Sequence, residues 1–108
     1  MKRSYLVAIV ASICISSVSY AADDGESLFK SSGCSTCHAA DKTTIGPSLK
    51  DIAAKYAADS NAEGTLEKKV RDGGSGSFAN MMMPMPPTPA SISDASIKTM
   101  VAWVLGHK

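Results

Sequence analysis

Apolar residues recur at helical spacing in four places along the chain, and each run is bounded by residues that start or stop helices. In the first, Gly25, Leu28 and Phe29 share one side, Asp23 or Asp24 stands where an N-cap is expected, and Ser31-Ser32-Gly33 ends the run. In the second, Ser48 precedes Leu49, Ile52, Ala53 and Tyr56, an i, i+3, i+4, i+7 series that follows a turn at Gly46-Pro47. A short third helix is expected from Thr65, with Leu66 and Val70 four apart and Gly73-Gly74 as its stop. The fourth carries Ile97, Met100, Val101, Val104 and Leu105 behind a Ser93 cap and ends at Gly106. No stretch alternates cleanly with period two. The expected fold class is all-α, with four to five short helices and long loops.

A fifth apolar run is of another kind. Tyr5 to Ile15 is almost unbroken, follows Lys2 and Arg3, and precedes Ser19-Tyr20-Ala21, small residues at the two positions a signal peptidase reads. Residues 1–21 are therefore expected to be a cleaved signal peptide and residues 22–108 the functional domain. The run is too short to span a bilayer comfortably. Ile13 ahead of Cys14 is too bulky for a lipoprotein cleavage site, so Cys14 is expected to leave with the leader and no permanent membrane anchor to remain. Export of this type points to a bacterial periplasm. The remaining 87 residues form one domain with a modest core. Chains of that size often need a metal, a disulfide or a cofactor. They keep nine basic and ten acidic residues, which excludes the strongly basic field of a nucleic-acid binder.

The candidate chemistry is concentrated in Cys34-Ser35-Thr36-Cys37-His38. In an exported chain, C-x-x-C-H is the haem attachment signature. Two thiols three positions apart can add to the two vinyl groups of one porphyrin, and the next residue presents an imidazole to the iron. His38 would bind through Nε2, leaving Nδ1–H to find an acceptor that fixes the tautomer. Other readings of the cysteines compete. A disulfide suits an oxidising compartment, a thioredoxin-like pair wants a βαβ context, and a zinc site needs a fourth ligand, for which His107 is the only other histidine beyond the leader. The spacing favours a covalent haem c, which would also supply the missing centre of a small core. A second notable stretch, residues 73–89, has no helical or strand period. It is flexible at Gly73 to Gly76 and stiff at Met83-Pro84-Met85-Pro86-Pro87-Thr88-Pro89, where the prolines favour an extended, polyproline-like path. Such a stretch has few hydrogen bonds of its own and must be held from outside. An iron–sulfur bond is one candidate.

Taken in order, Gly25 and Phe29 ahead of C-x-x-C-H, Gly46-Pro47 nine residues after His38, Met-Pro-Pro at 85–87 and Trp103-Val104-Leu105 near the end make the chain resemble the short class I c-type cytochromes of bacteria. The resemblance covers essentially all of residues 22–108. It implies a small class I cytochrome c fold around one haem, held through Cys34 and Cys37, with the iron ligated by His38 and a methionine sulfur. It places the acceptor for His38 Nδ1–H on the carbonyl of Pro47. Met81, Met82, Met83 and Met85 all compete as the distal ligand; the resemblance prefers Met85, which precedes two prolines, with Met83 next. Met100 is read as core. A soft thioether favours ferrous iron and raises the potential.

Two firm axial ligands leave no open position, so the implied activity is one-electron transfer rather than enzymatic bond chemistry. The implied partners are a membrane quinol-oxidising complex or other donor, and a nitrite reductase or terminal oxidase as acceptor, served by a monomer. The first and last helices should cross at Gly25, Phe29 and Trp103. Two departures from the subgroup stand out. Where its members carry a tryptophan that binds a haem propionate, this chain has Phe78-Ala79-Asn80, leaving Asn80 as donor with Lys69 as cationic partner. Thr88 replaces the asparagine that follows Met-Pro-Pro, and its hydroxyl is expected near the sulfur. Lys30, Lys42, Lys50, Lys55, Lys68 and Lys69 form a solvated face, part of which would steer an acidic partner. Two functional alternatives stand beside this reading: a haem enzyme or gas-binding c-type cytochrome with a labile distal ligand, and a haem-free dithiol oxidoreductase.

Overall fold

The computed structural model describes residues 22–78, 81 and 83–108; the expected signal peptide, Asn80 and Met82 lie outside the described residues. Four helices follow in chain order: α1 (Ala22–Ser31), α2 (Leu49–Tyr56), α3 (Ala62–Asp72) and α4 (Asp94–Leu105), with a 3₁₀ turn at Cys34–Thr36. Two helices start where the sequence announces them. Ser48 Oγ accepts the Asp51 N–H at 3.1 Å, and Ser93 Oγ accepts that of Ser96 at 3.1 Å. Each bond satisfies a first-turn donor that has no partner inside the helix.

The other two starts differ from expectation. Because α1 is already helical at Ala22, Asp23 and Asp24 fall in its first turn rather than at its cap. α3 begins three residues before Thr65. Ala62 is buried, and its N–H donates to Asp59 O at 3.2 Å, so tertiary packing carries the helix back through a weak start signal. Gly73 closes α3 at φ 69°, a left-handed conformation that a residue without Cβ adopts freely. Gly106 ends α4 with φ −79°, so no left-handed cap forms there.

α4 is the hub, packing on each of the other three helices. Its Ile97, Met100, Val101 and Val104 join Phe29 of α1, Leu49 of α2 and Leu66 of α3 in one buried cluster. α1 and α4 come closest at Gly25, where an added Cβ would run into Trp103 Cβ and lie 2.8 Å from its Cγ. One turn on, the Phe29 and Trp103 rings pack with centroids 5.1 Å apart.

The proline-rich segment is held more by hydrogen bonds than its composition suggests. Gly74 and Met85 form an isolated bridge, exchanging two N–H···O bonds of 2.9 Å. Thr88 donates its hydroxyl to Val70 O at 2.7 Å and its N–H to Arg71 O at 3.2 Å. Those two carbonyls lie in the last turn of α3 and need partners from outside the helix. The Thr88 hydroxyl therefore serves the end of α3, not the neighbourhood of the Met85 sulfur. Among the described residues, no helix is long and apolar enough to cross a membrane.

Candidate functional site

The site is assembled by a short run of turns after α1. Gly33, at φ 81°, swings the chain into the 3₁₀ turn. The N–H groups of Cys37 and His38 then both donate to Cys34 O, at 3.2 and 3.1 Å, so the motif winds once around that oxygen. The following loop closes back on it. Cys37 O accepts from Gly46 N at 2.7 Å and from Thr44 Oγ1 at 2.8 Å, while Leu49 N donates to Ala39 O at 2.9 Å. As a result the Pro47 carbonyl oxygen stands 2.8 Å from His38 Nδ1. A carbonyl can only accept, so Nδ1 carries a proton, and Nε2 is the nitrogen left for a metal.

Cys34, Cys37 and His38 line a single cleft enclosing about 1100 Å³, its solvent-open mouth included. Its walls are almost entirely apolar. Leu66, Met100, Val101 and Val104 belong both to the buried cluster and to this cleft, so the core of the domain serves as its floor. The 73–89 segment supplies Met81, Met83, Pro84, Met85 and Pro86. Of the residues singled out in the sequence, Cys34, Cys37, His38, Pro47, Lys69 and Met85 all meet here. Asn80 lies outside the described residues. Met85 is half-buried, whereas Met83 is 63% exposed.

Three arrangements were not read from the sequence. The Lys55 Nζ sits over the ring of Phe78, a residue that lines the cleft, 4.4 Å from its centroid in a cation–π contact. Arg71 binds the backbone beyond Met85. Gly46 leaves the space that the His38 ring fills: a Cβ there would lie 2.7 Å from Cε1. The spacing of Gly46 from the motif was the one available hint.

The two thiols are not joined to each other. Burial pushes the Cys34 thiol up, and the nearby Cys37 adds to that rise against an opposing backbone hydrogen bond. His107 is occupied elsewhere, edge-on to Trp103 with centroids 4.5 Å apart and its Nδ1 3.1 Å from the carbonyls of Trp103 and Val104. The donor set fits a covalently attached haem. Two unpaired thiols, an imidazole with its outer nitrogen already engaged, and thioethers share an apolar cleft floored by the core.

Comparison with known proteins agrees with this chemistry. Residues 22–108 match the Cytochrome c family. Cytochrome c-551 of Azotobacter vinelandii is 45% identical over 86 residues, covering 80% of this chain and all of that protein. Cytochrome c-551 of Pseudomonas aeruginosa is 36% identical over the full length of both chains. Among solved structures, wild-type cytochrome c552 of Nitrosomonas europaea superposes with a TM-score of 0.70 at 40% identity, covering 77% of this chain and 99% of that one.

Proposed function

The chain belongs to the cytochrome c family, electron carriers with one covalently attached haem c, and on that premise we propose that it is a periplasmic one-electron carrier whose haem is held through Cys34 and Cys37 and whose iron is ligated by His38 and Met85. When bound, the haem supplies reversible one-electron oxidation and reduction at iron. The protein's part is to hold, orient and shield. The observation that carries the reading is the 2.8 Å contact between His38 Nδ1 and Pro47 O, in the cleft that Cys34, Cys37 and Met85 also line. It orients Nε2 for iron and makes the imidazole more basic. The apolar walls keep water away and so favour a high potential, as does a thioether ligand.

Met85 is favoured over its neighbours on two grounds. Its backbone is pinned by both bonds to Gly74, and proline stands on either side, so little conformational freedom is lost when its sulfur is fixed. Met83, 63% exposed, has neither constraint to the same degree. Lys69, half-buried on α3 at the cleft, and Asn80 are the proposed propionate partners. Residues 1–21 act as the cleaved export signal. The donor is a membrane quinol-oxidising complex or comparable source, and the acceptor is a nitrite reductase or terminal oxidase, met in small transient complexes.

The test is the ferric optical spectrum of holoprotein variants. Met85→Ala is expected to remove the methionine-to-iron charge-transfer band, to lower the potential and to admit added ligands, while Met81→Ala and Met83→Ala keep the band. Retention of the band in Met85→Ala together with its loss in Met83→Ala would reassign the ligand.

A further inference from the structure

Beyond the Gly74–Met85 bridge and the bonds of Thr88, the chain that follows Met85 is fastened by one side chain that the electron-transfer reading does not use. Arg71, in the last turn of α3, reaches across to residues 17 to 23 positions later. Its Nη1 donates to the carbonyls of Thr88 at 3.3 Å and Pro89 at 3.0 Å. Its Nη2 donates to Ile92 O at 2.7 Å and to Asp94 Oδ1 at 2.7 Å. The planar fork thus joins the end of α3, the chain just beyond Met85, and the entry to α4. Thr88 reinforces the same seam through Val70 O.

We propose that Arg71 is a positioning residue for the distal methionine: it closes the loop behind Met85 and sets how readily the Met85 sulfur leaves the iron. The proposal rests on Met85 being the distal ligand. The weight falls on the three carbonyls. Hydrogen bonds from a charged donor are roughly twice as strong as neutral ones. The Arg71 side chain is only 28% exposed, so its bonds compete weakly with water. The Asp94 carboxylate, by contrast, is 96% exposed, and ion pairs so open contribute little. Without the guanidinium, the loop can swing on the two glycines at 73–74 and on the bend at residues 89–92. An added ligand then competes with a methionine that is away more often.

Imidazole binding to the ferric holoprotein, followed through loss of the methionine-to-iron charge-transfer band, measures that competition. Arg71→Gln is expected to raise the imidazole affinity about tenfold or more. Arg71→Lys should fall between it and the wild type, because an ammonium cannot present the fork. Asp94→Asn should stay within about twofold. A core variant, Ile97→Val, lowers global stability without touching the seam, and it too should stay within about twofold. If Arg71→Gln does not fold, Arg71→Lys and Thr88→Val decide, since both should raise the affinity. The proposal is overturned if the Arg71 variants bind imidazole like the wild type, or if Ile97→Val raises the affinity as much as they do. Failure of the Met85 assignment looks different: Met85→Ala would then keep the charge-transfer band.

Discussion

His38 is held from two directions, and each has a different origin in the sequence. The Pro47 carbonyl fixes its proton, while Gly46 makes room for its ring. A Cβ at position 46 would lie 2.7 Å from Cε1, 2.9 Å from Nδ1 and 3.2 Å from Cys37 O, and neither the ring nor that backbone has slack to give. Gly46→Ala is therefore expected to destabilise the holoprotein by about 1–3 kcal/mol, the usual effect of overpacking, and to shift its potential by reorienting the imidazole. Denaturant unfolding and potentiometric titration measure the two effects; wild-type values in both would show that the ring has room to spare. At this scale spacing brought the right residues together: Cys34, Cys37 and His38 line one cleft. The sequence was silent on Arg71, because backbone carbonyls far along the chain leave no residue pattern. A basic residue in the last turn of a helix is ordinarily read as a partner for the helix dipole. Thr88 misled for a related reason, since its acceptor is an unpaired helix-end carbonyl rather than a side chain.

Between elements, the contact that fixes the frame is the crossing of α1 and α4. Gly25 is needed because the backbone there passes directly over Trp103. Trp103 in turn packs on Phe29, whose ring lies 6.4 Å from that of His38, so the crossing is linked to the site through one aromatic layer. Trp103→Ala is expected to cost about 3 kcal/mol, near the lower end for a truncated aromatic because the indole is half-buried rather than fully enclosed. Equilibrium unfolding of the holoprotein measures it, and a loss below about 1 kcal/mol would remove Trp103 from the frame. The helices with serine caps were legible to the residue, since the cap bond is local and strong. The start of α3 was not. Asn61 makes no side-chain cap bond, and what extends the helix to Ala62 is burial against the rest of the fold. Nor did composition reveal that the proline-rich segment is stitched to α3, because the Gly74–Met85 bridge pairs two residues of opposite character across a reversal of the chain.

For the molecule as a whole, the decisive property is a core that does not close on itself. All of its members but Ile97 line the cleft, which is what a small domain completed by a covalent cofactor should show. Several charges on the described exterior are paired with opposite ones. Lys30, Lys50 and Lys68 are paired with Glu26, Asp41 and Asp72 at 2.8, 3.1 and 2.8 Å. Exposed pairs of this kind add little stability but reduce the share of the lysine face left to steer a partner. Near the cleft, Ile45 and Met83 are exposed apolar side chains, 48% and 63%, suited to brief contact with another protein. In the proposed function, His38 and Met85 together leave no open coordination position at the iron, and electron transfer follows from that closed site. The most direct measurement is carbon monoxide binding to the reduced holoprotein at neutral pH, followed in the Soret region. The proposed ligation predicts an unchanged spectrum in the wild type and a carbon monoxide adduct in Met85→Ala. An adduct that forms readily in the wild type would contradict it and favour a gas-binding or catalytic site.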